Sequence, residues 1–480
     1  MMKVISGIDI STIMAEPLKF TEPPVGNQED AAFLKALDAI LGSGKRDYPS
    51  YVGGLKIASG MLKDVHSPID STIIFGSFQE PDDGLTDRAV EVAKAAYGKW
   101  SRTSAEERAA IVEKVIFGIR QSRYRLAAMA TLGAGMVKSS ALAEVDILID
   151  MMSKACDDVR KRRCKPEGVW AVLTSYNSPL AAPIGYATAA ILAGNTVVMI
   201  PSAHSLMPVC TLYEMFVEAG LPDGVMNIIF DSSSRSSLDL ANNLDVIGVA
   251  AAGLGERMED LMFLQTDDEL RFINEIKGMN PILVYKPSSM RSAAKAVLAA
   301  AFGQGMNVKA CSKVVIMAGE EESFVNAIIS EANAIKVTDP SDTTAYMGPI
   351  VSKRRKEEFL DLLASVSGNI IYGGKVVSDP LTENGYYVTP AIVMGLDDEH
   401  DLNVMDSAFP VLSIQTAESL DDAIEIINCT EYGISAGIIT KDENAAKKFR
   451  KEVNAENIFV NDQSSVPGTA SQATIDRFTA

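Results

Sequence analysis

The sequence predicts an α/β protein of two domains, the first a Rossmann-type, mainly parallel sheet and the second another α/β unit. Three observations carry this reading. From residue 168, short β-branched runs alternate with longer apolar helical stretches, the order that builds a parallel sheet with right-handed crossovers. The same alternation starts again near residue 274. A length of 480 residues also exceeds what one hydrophobic core organises. The boundaries read from the sequence are 1–273 and 274–455, with part of 456–480 returning to the first domain.

The elements follow in order. DRAVEVAKAAYGKW and SAEERAAIVEKVIFGIRQSRYRLAAMATL read as amphipathic helices, with Ser104 and Glu107 spaced as a capping box. GVWAVLTS, NTVVMIPS, GVMNIIF and VIGVAAAG read as buried strands. PLAAPIGYATAAILAG supplies a buried helix stopped by Gly194, and SLMPVCTLYEMFVEAG supplies the next. In the second block NPILVYK, SKVVIMAG and GISAGIIT are strands, while SMRSAAKAVLAAAF, ESFVNAIISEANAI and SLDDAIEIINCTE are helices. No repeat or low-complexity tract interrupts them.

Composition excludes several functions. With 47% hydrophobic and 22% charged residues the chain has the balance of a soluble globular protein. A net charge of −19 argues against a nucleic-acid partner, which would need clustered Lys and Arg. The densest basic run, RKRRCK at 160–165, reads as a solvated helix end. Five scattered cysteines without a CxxC pair predict free thiols in a reducing cytosol. Three distant histidines give no metal spacing. MMKVISGIDISTIM lacks the order of a signal peptide, and no apolar run is long enough for a membrane span. The expected location is cytoplasmic. A Ser-His-Asp hydrolase is disfavoured, because the G-x-S-x-G match at 433–437 lies within the strand GISAGIIT instead of at a strand-to-helix elbow, and His204 reads as a surface loop residue.

YNSPL at 176–180, AGNTVVMIPS followed by EAGLPDGVMNIIF, EIKGMNP at 275–281, NCTEYGISAGIITKD and IFVND resemble, in that order, segments of the aldehyde dehydrogenase superfamily. DYPSYVGGLKI and AFG…ACSK are similar to its delta-1-pyrroline-5-carboxylate dehydrogenase branch. The resemblance implies an aldehyde-dehydrogenase-like fold with a cofactor domain and a catalytic domain. It also implies a reaction in which a Cys thiolate attacks the aldehyde while an Asn side chain and a backbone N–H hold the oxyanion. Hydride then passes to NAD(P), and a Glu-activated water releases the acyl group.

Carried onto this chain, the resemblance places Asn177 at the oxyanion position and Glu275 at the general-base position. Their ordinary alternatives are a turn residue before Ser-Pro and a solvated acid. Val308 falls where the nucleophilic Cys would stand, and valine has no lone pair with which to attack. Cys311 aligns with the second, non-catalytic Cys and Lys313 with an Arg. Cys311 reads as a buried structural thiol, with a rescue nucleophile as the other reading.

The cofactor positions diverge as well. Ile200 replaces the ribose-binding Lys. Asp231, Ser233 and Ser237 replace the glycines of the phosphate turn, and Asp231 sets a negative charge beside a diphosphate. Gly253 is what remains of the FTGS segment, and DSAFP carries Asp406 and Ala408 for a Glu and a Phe. Ile200, Leu254 and the serine-rich turn are expected to narrow the cleft.

The family's oligomerisation hairpin is expected to be reduced or absent, since only CDDVRKRRCKPE separates helix from strand. The chain also ends at DRFTA without the family's terminal strand, so the expected state is a monomer or a non-standard dimer. Together these residues read as a pseudoenzyme of the family. It would hold no cofactor and no metal, and its partner would be an unknown small-molecule ligand or protein. The alternative is an oxidoreductase using NAD or NADP on glutamate semialdehyde or another aldehyde through a non-standard site.

Overall fold

The computed structural model describes residues 28–58, 60–233, 235–253, 271–275, 278–303, 310–430, 433–461 and 475–479. Val308 and Leu254 lie outside them. The chain opens with α1 (Gln28–Gly42) and five short strands, β1 (Arg46–Tyr48), β2 (Ser50–Val52), β3 (Leu55–Ile57), β4 (Leu62–His66) and β5 (Ile74–Gln79). Four helices follow: α2 (Leu85–Trp100), α3 (Ala105–Gln121), α4 (Arg123–Ala134) and α5 (Lys138–Lys161). The stretch read as one amphipathic run from 104 is therefore two helices, broken at Ser122. The Ser104–Glu107 capping box forms as the spacing predicts, with both reciprocal hydrogen bonds present.

The parallel core comprises β6 (Val169–Thr174), α6 (Ala181–Ala193), β7 (Thr196–Ile200), α7 (Leu206–Ala219), β8 (Met226–Ile228), α8 (Arg235–Ala241), β9 (Val246–Ala252) and β10 (Arg271–Glu275). The strand order is β10-β9-β6-β7-β8-β2-β3, with the first five parallel and β2 and β3 antiparallel at one edge. The order reverses at β6, whose neighbours are β7 and β9. A crevice opens at such a switch point, beyond the carboxyl ends of the strands. Every residue of β6 and α6 is buried, as expected of a parallel strand covered on both faces. Each large side chain so enclosed contributes roughly 1.5–3 kcal/mol. Gly194 ends α6 with φ +99°, a left-handed conformation that glycine adopts without a side-chain clash.

The second sheet is built from β11 (Ile282–Val284), α9 (Met290–Phe302), β12 (Lys313–Met317), α10 (Glu321–Ala332), α11 (Lys353–Ser365), β13 (Ile370–Gly373) and β14 (Ala391–Met394). The short α12 (Asp401–Val404), β15 (Val411–Ala417), α13 (Leu420–Asn428), β16 (Ser435–Ile439), α14 (Glu443–Glu452) and β17 (Asn457–Val460) complete it. Its order is β13-β14-β15-β12-β11-β16-β17, parallel except for β13. Two boundaries differ from the sequence reading. Glu275 pairs with Ala252 in the first sheet, and Asn457–Val460 pairs with β16 in the second.

Residues 162–168 run from α5 into β6 without a strand. A final 3-10 turn, Ile475–Phe478, packs back onto the first domain, with the Phe478 ring 4.6 Å from Trp170. No described helix is long and apolar enough to cross a membrane. The described residues contain no cluster of metal-ligating side chains.

Candidate functional site

The carboxyl ends of β6, β9 and β10 meet at the crevice. Ser175 N–H donates to the Ala252 carbonyl at 3.0 Å, and Gly253 N–H donates to the Glu275 carbonyl at 3.1 Å. Gly253 has φ +107°, and a Cβ there would collide with Ser175, so only glycine fits this crossing. The structure thus brings Asn177, two residues beyond Ser175, to the same sheet edge as Glu275. Both are buried, at 8% and 5% exposure. The alternative of Glu275 as a solvated acid is corrected: the residue ends the edge strand β10 and is nevertheless buried.

The Asn177 loop is held by a residue that sequence reasoning missed. Glu144, on α5 and 3% exposed, accepts from Ser178 Oγ at 2.5 Å, from Leu180 N–H at 3.3 Å and from Ala181 N–H at 2.9 Å. The last two are orphan donors at the start of α6, where a carboxylate also meets the positive end of the helix dipole. Beside this loop lies a cavity of about 50 Å³, lined by Gly135, Val137, Tyr176, Asn177, Tyr346 and Met347. That is room for a few waters.

The second domain supplies the facing wall. Asp406, 5% exposed, accepts from Ser312 Oγ at 3.1 Å and from Ala408 N–H at 3.0 Å. Arg355 donates to the Ala408 carbonyl at 3.2 Å and pairs with Glu358 at 2.6 Å, its guanidinium 4.0 Å over the Phe409 ring. Burial pushes the Tyr176 hydroxyl up from its ordinary pKa, opposed by the Arg355 guanidinium and Asn177 beside it. Tyr176 entered the sequence reading as the aromatic of YNSPL, whereas Arg355 did not stand out in the sequence.

Cys311 lies on this side too, but it does not face an open site. It is 3% exposed, its Sγ donates to the Lys313 carbonyl at 3.1 Å, and burial pushes its thiol up to about 12. A nucleophilic cysteine needs the opposite shift. His204 is corrected as well. It is half-buried, bonds the Gly133 carbonyl through Nδ1 at 2.8 Å, and burial lowers its pKa.

The remaining positions lie at the ends of β7 and β8. Ile200 is fully buried among Leu173, Val198 and Leu85. Asp231 is 4% exposed and folds over the start of α8, accepting from Ser233 N–H at 2.8 Å and from Ser236 N–H at 3.0 Å. Ser237 is fully buried beneath it. Burial alone would raise the Asp231 carboxyl, but the donors from Ser236 and Ser233 outweigh it and hold the pKa below the usual range.

A depressed carboxyl pKa stabilises the fold above its unfolded value, and that contribution disappears as pH falls through the folded value. Asp231→Ala is therefore expected to lower stability by about 1–2 kcal/mol at neutral pH, the scale of a lost helix cap. The gap between variant and parent should narrow as the pH falls through the lowered carboxyl value. Urea unfolding at several pH values measures both.

This geometry has relatives. The 1-pyrroline-5-carboxylate dehydrogenase of Geobacillus sp. strain WCH70 is 25% identical over 453 residues, covering 89% of this chain and 87% of that protein. The alpha-ketoglutarate semialdehyde dehydrogenase of Haloferax volcanii is 28% identical over 438 residues, covering 87% and 90%. Among solved structures, 1-pyrroline-5-carboxylate dehydrogenase from Thermus with bound NAD has a TM-score of 0.87 at 20% identity, over 98% of both chains. At that identity the likeness is one of fold. The sequence profile described as "Aldehyde dehydrogenase family" spans residues 58–473. From β4 through the carboxyl ends that carry Asn177 and Glu275 to the last strand of the second sheet, the chain belongs to the aldehyde dehydrogenase family, related to its pyrroline-carboxylate and semialdehyde dehydrogenases.

Proposed function

We propose that this chain is a pseudoenzyme of the family, keeping the fold without oxidising aldehydes. The observation that carries the reading is the state of Cys311. The one thiol of the nucleophile segment is sealed, hydrogen-bonded to backbone and held protonated at neutral pH, and the sequence places Val308 at the attacking position. Without a nucleophile, residual rates in comparable enzymes fall by about 10⁶-fold.

The cofactor seat supports the same reading. The N–H groups of Ser233 and Ser236, which a diphosphate would need, already bond Asp231. An entering dinucleotide would meet that carboxylate as a repulsive charge, and Ile200, apolar and buried in the core, offers no ribose partner. These residues do not fit NAD(P).

Calorimetric titration with NAD and NADP tests this directly. The expected result is no saturable binding below about 1 mM, and tighter binding would overturn the cofactor half. Val308→Cys is expected to restore no glutamate-semialdehyde-dependent nucleotide reduction, because the defect extends to the cofactor. Recovered turnover would defeat the proposal.

A second reading rests on Asn177 and Glu275, which stand buried together at the crevice. It takes the chain as an NAD(P)-dependent oxidoreductase acting on glutamate semialdehyde or another aldehyde through a non-standard site. Semialdehyde turnover by the unmodified chain that vanishes in Cys311→Ala would establish it.

A further inference from the structure

On the first domain, apart from the crevice, α1, β1, β5 and α4 enclose a pocket of about 500 Å³. That volume is in the range of small-molecule sites. Its floor is apolar: Phe75, Met129, Leu132 and Met207 are all buried, and Ile40 and Ile73 are half-buried along its side. Its mouth is not apolar. Arg46, on β1, and Arg125, in the first turn of α4, both line it and both are exposed.

Some arginines of the chain are paired with carboxylates and others, Arg102, Arg163 and Arg450 among the described residues, are not; the two at the mouth belong with the unpaired. This chain carries 63 acidic against 44 basic residues, so a guanidinium on it readily meets a carboxylate. Arg88, Arg123, Arg160 and Arg162 each do so. Arg46 and Arg125 form no ion pair and no side-chain hydrogen bond among the described residues. Both lie near Tyr48, whose hydroxyl feels the two guanidinium groups and, in the opposite sense, the Glu214 carboxylate. Burial raises that hydroxyl first, and the two guanidinium groups oppose the rise. The pocket therefore offers an apolar slot with two guanidinium groups at its mouth.

We propose that this pocket binds a medium-chain aliphatic carboxylate, with the chain laid on Phe75, Met129, Leu132 and Met207 and the carboxylate held between Arg46 and Arg125. Volume sets an upper bound on the ligand, which a chain of eight to ten carbons meets. Charge follows from the mouth. Arginine forks match a carboxylate, and a neutral head group would gain nothing from them. This inference is independent of whether the crevice is catalytic.

Calorimetry of the full chain with decanoate and with decanol tests it. Decanoate is expected to bind at one site, about fivefold to tenfold more tightly than decanol, the combined effect of two exposed ion pairs. The double variant Arg46→Gln/Arg125→Gln should bind decanoate no better than decanol. Ala39→Phe, on the exposed side of α1 at the pocket wall, should abolish binding of both while leaving the circular dichroism and melting temperature unchanged. The proposal falls if decanoate shows no saturable binding up to about 1 mM. It also falls if the preference for the carboxylate survives in the arginine double variant, or if Ala39→Phe leaves the affinity intact.

Discussion

Phe478→Ala is expected to lower the unfolding free energy by about 3–5 kcal/mol, the range for removing a fully buried aromatic ring. Phe478 is fully buried, 4.6 Å from Trp170 and 6.4 Å from Tyr186 between ring centroids. Its carbonyl accepts from Asn195 Nδ2 at 2.6 Å. Trp170 belongs to β6 and Tyr186 to α6, the strand and helix that flank the Asn177 loop, so this turn braces the amino end of the strand whose carboxyl end leads to the crevice. The ion pair of Arg162 with Asp476 sits at the rim of the turn, and both partners are about half-exposed. Arg162→Ala should cost less than about 1 kcal/mol. Guanidinium unfolding followed by tryptophan fluorescence reads the comparison. A loss below 1 kcal/mol for Phe478→Ala would mean that the turn undocks easily in solution. The measured cost cannot exceed the free energy of that local opening.

What the sequence made legible was local. β6, β7 and β9 are contiguous β-branched runs, α6 is an unbroken apolar segment ended by Gly194, and Ser104–Glu107 is a cap written within four residues. The resemblance carried Asn177 and Glu275 to positions that the fold places at one sheet edge. Contacts across long separations were hidden. Glu144 lies 37 residues before Ala181, whose N–H it accepts, and in a charged helix it looks solvated. A signal was nonetheless present: Glu144 stands three residues after Ala141 and four before Leu148, on the buried face of α5. His204 gave no such signal, because the partner that buries it is a carbonyl on another helix. The 1–273 boundary cut through β10 because RFINE carries a charged residue at each end of a strand that is otherwise paired.

Lys313 stands where the resemblance implies an arginine. Its ammonium is 1% exposed and donates at 2.9 Å to each of two carbonyls, Asn403 in α12 and Ile426 in the last turn of α13. Burial lowers its pKa from 10.5 to about 8, against the pull of Cys429 and Asp398. An arginine in the same place could not release its proton. For a lysine whose folded pKa is depressed, the cost of the buried charge is fully present below the folded value. Between pH ~8 and ~10.5 the native state gives up its proton before the unfolded chain does, so stability rises with pH.

The rise is expected to be about 3 kcal/mol in total, and it must be separated from other groups. The raised thiols of Cys156 and Cys311 act in the opposite direction, because their unfolded forms lose protons first as the pH increases. Those contributions cancel in the difference between the parent chain and Lys313→Met measured by urea unfolding from pH 7 to 10. At pH 7 the variant loses two donors to helix-end carbonyls but also sheds a buried charge, so the two are expected to lie within about 2 kcal/mol of each other. By pH 10 the parent should have gained on the variant by most of the predicted rise, and Lys313→Arg should gain nothing. A flat difference across the range would place the ammonium in contact with water. The same result would bear on Asp406, because Lys313 begins the strand whose preceding residue, Ser312, donates to it.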